Sequence, residues 1–271
     1  MKYPVAIQVY SLREEANEDF YGTLKKIKEM GYDGVEFAGL YGNSPEDVKK
    51  WCEELSLTII SAHVPFQDLL TKENILETYK DLGCKYVVIP YITNDYCPGN
   101  PLFPEMVEKV TALGKKAREL GMKLGYHNHD FEFSKYEGKY LLDIIYDSIP
   151  AESLQTQLDS CWVTVGGEDV CKYIKKYADR SELLHVKDFV GRRGENMYNL
   201  IGIDDDQKKK TDGAFEQRPV GYGVQNFKKI IDTAKESNIK WLIVEQDNPT
   251  PGMTALECAK KSLDFLKSLE D

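Results

Sequence analysis

Short runs of apolar, mostly β-branched residues alternate along the chain with longer amphipathic stretches. Eight runs read as strands: Val5–Tyr10, Gly34–Ala38, Thr58–Val64, Tyr86–Tyr91, Lys123–His129, Leu154–Ser160, Leu183–Phe189 and Trp241–Gln246. Most starts are separated by about 30 residues, the length of a strand plus the helix that returns the chain to a parallel neighbour. Each run is nearly continuous in apolar residues, as a strand buried on both faces must be. The stretches between read as helices. Phe20, Leu24, Ile27 and Met30 share one helical face. Ser44, followed by Pro45 and Asp47, predicts a capped helix with proline at its first position, and Val48, Trp51, Cys52 and Leu55 form its buried stripe. Gly31, Gly83 and Gly121 each follow a helical stretch, where a left-handed residue ends the last turn.

Eight strand–helix units in 271 residues predict an α/β fold, a single (β/α)8 barrel spanning residues 1–271. A doubly wound sheet is the runner-up, but no Gly-x-Gly-x-x-Gly follows the first strand. No proline- or serine-rich linker divides the chain. One region breaks the pattern: Val190–Val224, rich in Gly, Arg, Asp and Lys, reads as a long loop after the seventh strand. In a barrel such a loop covers the functional face, and its Arg192–Lys210 part is expected to act as a mobile lid.

Composition narrows the classes of function. With 42% apolar and 30% charged residues the chain is neither disordered nor membrane-spanning, because its longest apolar runs are far too short for a bilayer. A formal charge of −10 opposes binding to nucleic acid. The six cysteines form no Cys-x-x-Cys pair and are expected to be reduced and mostly buried. Met1 and Lys2 run into the first apolar stretch with no signal-peptide core, so a cytoplasmic location is expected.

The polar residues then carry the chemistry. In a barrel the site lies where the strands end, and here the apolar runs end in Gln8, Glu36, His63, His127-Asn128-His129-Asp130-Phe131-Glu132, Asp159, His185 and Lys187, and Glu245. All four histidines fall on predicted strand exits. Asp159, His185 and Glu245, with a carboxylate from the fifth exit, make an oxygen-rich set with one imidazole, suited to Mn²⁺, Mg²⁺, Co²⁺ or Zn²⁺. Blander readings exist for each: Asp159 as a helix cap, His185 as a hydrogen-bonded core residue, and Lys187 with Glu245 as a structural ion pair.

The pieces Ile7–Arg13, Gly31–Glu36, Tyr126–Phe133, Leu158-Asp159, Leu184–Asp188 and Val244–Gln246, in this order and spacing, resemble the sugar phosphate isomerase/epimerase superfamily of xylose-isomerase-like barrels. The resemblance spans almost the whole chain. It implies a metal held by a carboxylate from strand five, Asp159 from six, His185 from seven and Glu245 from eight. Ketose 3-epimerases of that superfamily place a glutamate inside strand five, where this chain has His127, so Glu132 is the carboxylate expected at the metal. They also place a substrate-contacting histidine where this chain has Trp162.

The implied chemistry is proton removal next to the carbonyl of a keto-sugar, followed by isomerisation, epimerisation or β-elimination. His127 is then the expected base, with His129 as a second; Glu245 is the alternative base, and Lys187 steadies the oxyanion or the substrate. Gln8, Glu36, His63, His129 and Trp162 are expected to contact substrate, the first three at the rim. A metal-dependent isomerase or epimerase is the first expectation. The second is a lyase or dehydratase acting on a keto-inositol or 3-keto-glycoside, which the His-Asn-His sequence favours. A non-catalytic sugar-binding barrel and a phosphodiesterase on abasic DNA rank lower, the latter because four histidines and an acidic chain fit a multi-metal nuclease poorly. The expected partner is a small carbohydrate, with a homo-oligomer possible in addition.

Overall fold

The computed structural model describes residues 3–192 and 215–269. Eight parallel strands close into a barrel: β1 Val5–Gln8, β2 Gly34–Ala38, β3 Thr58–His63, β4 Tyr86–Ile89, β5 Lys123–His127, β6 Gln155–Asp159, β7 Ser181–Val186 and β8 Trp241–Val244, with β1 paired to both β2 and β8. The (β/α)8 barrel expected from the sequence is the fold. Val35, Phe37, Val87 and Leu184 face outward into the helices, while Ala6, Ile60, Val88, Leu183 and Ile243 form a separate plug inside the barrel. The helices begin and end as their residues dictate. Ser44 Oγ accepts the Asp47 N–H ahead of helix Pro45–Leu55, and Gly31 (φ 98°) and Gly83 (φ 112°) close their helices in the left-handed region.

Several strands are shorter than their apolar runs. β1 stops at Gln8, and Val9–Leu12 forms a 3₁₀ turn in which Val9 and Leu12 stay buried against the helices. Apolar residues thus continue past the last ladder bond because they pack under the loops. β5 likewise stops at His127, and Asn128, His129 and Asp130 lie beyond the strand, buried above the barrel. The register shifts between Val35 and Glu36, so that Glu36 stands opposite Ser61 on β3. All six cysteines are free and buried.

The long excursion after β7 is tied at both ends. Asp188–Val190 pairs antiparallel with Glu216–Arg218. The Asp188 carboxylate accepts the N–H groups of Phe189, Gly221, Gly223 and Gln225 at 2.8–3.3 Å. A Cβ at Gly223 would meet Phe189 O at 2.3 Å, so glycine lets the returning chain lie this close. Most of the segment expected to form a lid lies outside the described residues. Among the described residues no helix is long and apolar enough to cross a membrane.

Candidate active site

Glu36 lies inside the barrel, fully buried, and is surrounded by donors. Gln8 Nε2 donates to it at 2.9 Å and Gln157 Nε2 at 2.6 Å; Ser61 Oγ donates as well. His185 Nε2 stands 2.7 Å and His63 Nε2 3.2 Å from Oε1. Burial alone would raise the Glu36 pKa, but the charges and hydrogen bonds of His63 and His185 hold it well below the usual carboxylate range. This corrects the expectation for Gln8 and Glu36. Both were expected at the rim on substrate hydroxyls, yet they sit beneath the site and are engaged with each other, because the β1 and β2 positions that face the barrel axis here lie below its mouth.

Gln157 connects this layer to His127. With its amide nitrogen on Glu36, its Oε1 must accept, and it does so from His63 Nε2 at 2.7 Å and His127 Nδ1 at 3.1 Å. His127 therefore carries its proton on Nδ1. Its bare Nε2 faces Asp159 Oδ2 at 3.8 Å and Glu245 Oε2 at 4.0 Å. Burial, then the neighbouring His185, push the His127 pKa well below the ordinary histidine value.

Asp159 serves two ends. Its Oδ1 accepts the N–H groups of Cys161 (2.7 Å) and Trp162 (3.1 Å), the helix cap of the bland reading. Its Oδ2 is buried without a hydrogen-bond partner among the described residues. Burial raises its pKa to about 7, and a cation beside the open oxygen would favour the ionised form. His185 bridges Glu36 and Glu245 (Nδ1 to Oε2, 3.0 Å); burial disfavours its charge, but the two carboxylates raise its pKa to about 10. Ligand atoms of His127, Asp159, His185 and Glu245 lie within 4.8 Å of one another. His63, His127 and His185 also come that close, but His63 Nε2, His127 Nδ1 and His185 Nε2 are engaged with Gln157 and Glu36.

Glu132 is not in the group. Its oxygens accept from Tyr126 Oη (2.6 Å) and the His129 N–H (2.8 Å), and burial raises its pKa to about 8. Instead of swinging back toward a metal, Glu132 clamps the turn after β5, and β5 brings His127 to the group. Lys187 is fully buried, 2.6 Å from Asp247, 3.3 Å from Glu245 and 3.9 Å from Asp159. Burial opposes its charge, but these carboxylates, Asp247 foremost, keep it firmly protonated. The structural ion pair therefore exists, with Asp247 as the nearest partner and Asp159 Oδ2 beyond hydrogen-bond reach of the ammonium.

A cavity of about 510 Å³ opens above, with His63, His127, His129, Glu245 and Asp247 among its walls. His129 Nδ1 and Trp162 Nε1 are buried polar atoms without partners among the described residues. Burial and Lys187 lower the His129 pKa to about 3, so its imidazole is neutral. Trp162 stacks on Phe215 and lies under the Lys187 ammonium, beside the cavity and off its wall. The sequence reading missed Gln157 as a site residue. Its signal was legible: a glutamine in a buried strand, two residues before Asp159 and so on the same face. Asp247, two residues after Glu245, was likewise given no role.

The model of the xylose isomerase-like TIM barrel family matches residues 24–269. An inosose dehydratase of Clostridium perfringens is 26% identical over 89% of this chain and 88% of its own length. One of Lacticaseibacillus casei is 23% identical over 91% and 88%. The crystal structure of a sugar phosphate isomerase/epimerase from Parabacteroides distasonis superposes with a TM-score of 0.76 at 23% identity, covering 98% of this chain and 93% of that one. The closed barrel and the match over most of its length make this chain a member of the xylose isomerase-like TIM barrel family.

Proposed function

We propose that the protein is a metal-dependent lyase that removes water from a cyclic polyhydroxy ketone, an inosose or a related keto-sugar, by β-elimination. The observation that carries this reading is the convergence of His127, Asp159, His185 and Glu245, with Asp159 Oδ2 unpartnered and His127 Nε2 bare. Two imidazoles and two carboxylates favour Mn²⁺, Co²⁺ or Zn²⁺; Mg²⁺, acceptable for the oxygen-rich set built on Glu132, suits this one less. A divalent ion held there supplies a Lewis acid for the ketone oxygen.

The chain's own residues do the rest. Glu36 orients His185 from behind, and Gln157 keeps the His127 proton on the far nitrogen. His129 offers its unpartnered Nδ1 to the proton on the carbon beside the ketone. His63, held by Glu36 and Gln157 on another flank of His127, passes a proton to the departing hydroxyl. The C–H bond breaks toward His129, the C–O bond breaks with water leaving, and a C=C bond forms between the two carbons. Lys187 offsets negative charge.

Elimination is preferred to the isomerase or epimerase reading because the curated relatives that span most of the chain are named inosose dehydratases, and the solved isomerase/epimerase resembles it at the level of fold. The test is to incubate the Mn²⁺-supplemented protein with an inosose in D₂O. A conjugated, ultraviolet-absorbing product with loss of water supports the proposal. A new stereoisomer or positional isomer carrying deuterium, without the chromophore, overturns it in favour of epimerisation or isomerisation.

A further inference from the structure

The cavity continues well beyond the ligand group. From the polar end at His127 and Glu245 it runs outward between the loops after β1 to β4, where Tyr10, Leu40, Pro65, Ile75, Tyr79 and Tyr91 line it. Ile75 and Tyr79 stand one turn apart on helix Ile75–Leu82 and so present one face. A ring polyol has roughly a dozen non-hydrogen atoms and, even at the about 30 Å³ that a water molecule takes in the liquid for each, leaves part of the space unfilled. The space is about 510 Å³. Its outer half has aromatic and aliphatic walls. The charged pair there, Lys72 and Asp68, is closed on itself at 2.9 Å. An anionic group would meet no free cation in that half among the described residues.

We infer that the outer half is a subsite for a neutral apolar or aromatic substituent, so that the substrate is a keto-sugar bearing such a group. Tyrosine, proline and branched aliphatic side chains take up a flat ring through apolar burial and ring stacking. The inference rests on the proposed site for its inner, sugar-binding half. It concerns recognition and is independent of the fate of the proton.

The experiment is calorimetric binding of phenyl β-D-glucopyranoside and methyl β-D-glucopyranoside to the Mn²⁺-supplemented protein. The phenyl glycoside is expected to bind about tenfold or more tightly than the methyl one. Ile75→Trp, which fills the outer half, should abolish that difference and leave methyl glycoside binding unchanged. Leu40→Trp in the loop after β2 gives the same reading should the first variant fold poorly. A phenyl glycoside that binds no more tightly than the methyl one, or not at all, overturns the inference, as does a preference that survives both substitutions. A phenyl preference accompanied by no dehydration of an inosose would count against the elimination alone.

Discussion

At the scale of single residues, direction of hydrogen bonding decides what each side chain can do. His127 occupies a position where a base was expected, and Gln157 turns its free nitrogen toward Asp159 and Glu245. His127→Asn should therefore lower metal occupancy, measured by elemental analysis after gel filtration, by far more than it would if His127 were only a base. If the variant keeps full occupancy and loses only α-proton exchange, His127 is the base after all. Gln157→Leu is expected to weaken metal binding by about 10- to 100-fold, the usual worth of a partner that orients a ligand. His127, Asp159 and Glu245 were legible from the sequence because each ends its own apolar run. Glu132 was misread because a carboxylate near a strand exit says nothing about which way its side chain is drawn. Tyr126 Oη and the His129 N–H draw it away.

At the scale of elements, β7 has different work at its two ends. Its upper end delivers His185, and its lower end holds Glu182, which takes hydrogen bonds from Tyr86 Oη, Lys123 and Lys240. Burial would raise the Glu182 carboxyl, but these bonds prevail and lower its pKa to about 2. A depressed folded-state pKa means that the ionised group stabilises the fold above its unfolded value of about 4.3 and loses that contribution as the pH falls toward 2. Glu182→Gln should thus cost about 1 to 3 kcal/mol near neutral pH, with the half-exposed lysines keeping it toward the lower end. Chemical denaturation from pH 7 down to pH 2 should show wild type and variant converging. A constant gap would mean that the cluster contributes through packing alone.

At the scale of the whole molecule, the candidate ligand group draws one member each from β5, β6 and β7 and one, Glu245, from the residue after β8, so a cation bound there would tie half of the barrel together. Binding to the folded state alone raises stability by about 2.7 kcal/mol at a hundred times the dissociation constant. Added Mn²⁺ or Co²⁺ should accordingly raise the melting temperature by several degrees, whereas Asp159→Asn should melt at one temperature with or without metal. An equal rise in both proteins would place the binding elsewhere. The Asp188 staple, which joins the end of β7 to the returning chain, keeps Lys187 and the mouth of the site together across the long excursion.

The sequence by itself determined the barrel, because eight near-continuous apolar runs with return helices between them have few other ways to bury both faces of every strand. It also pointed to the mouth of the barrel as the place for a candidate site, since polar residues ending such runs must gather there. Tertiary structure alone decided the roles within it. Gln8 and Glu36 lie below the mouth, Glu132 turns away, and the open nitrogen of His127 faces Asp159 and Glu245 because of Gln157, a residue 30 positions away in the chain. Which atom of a buried polar group is left open depends on donors and acceptors brought together from distant strands, and local pattern carries no record of that pairing.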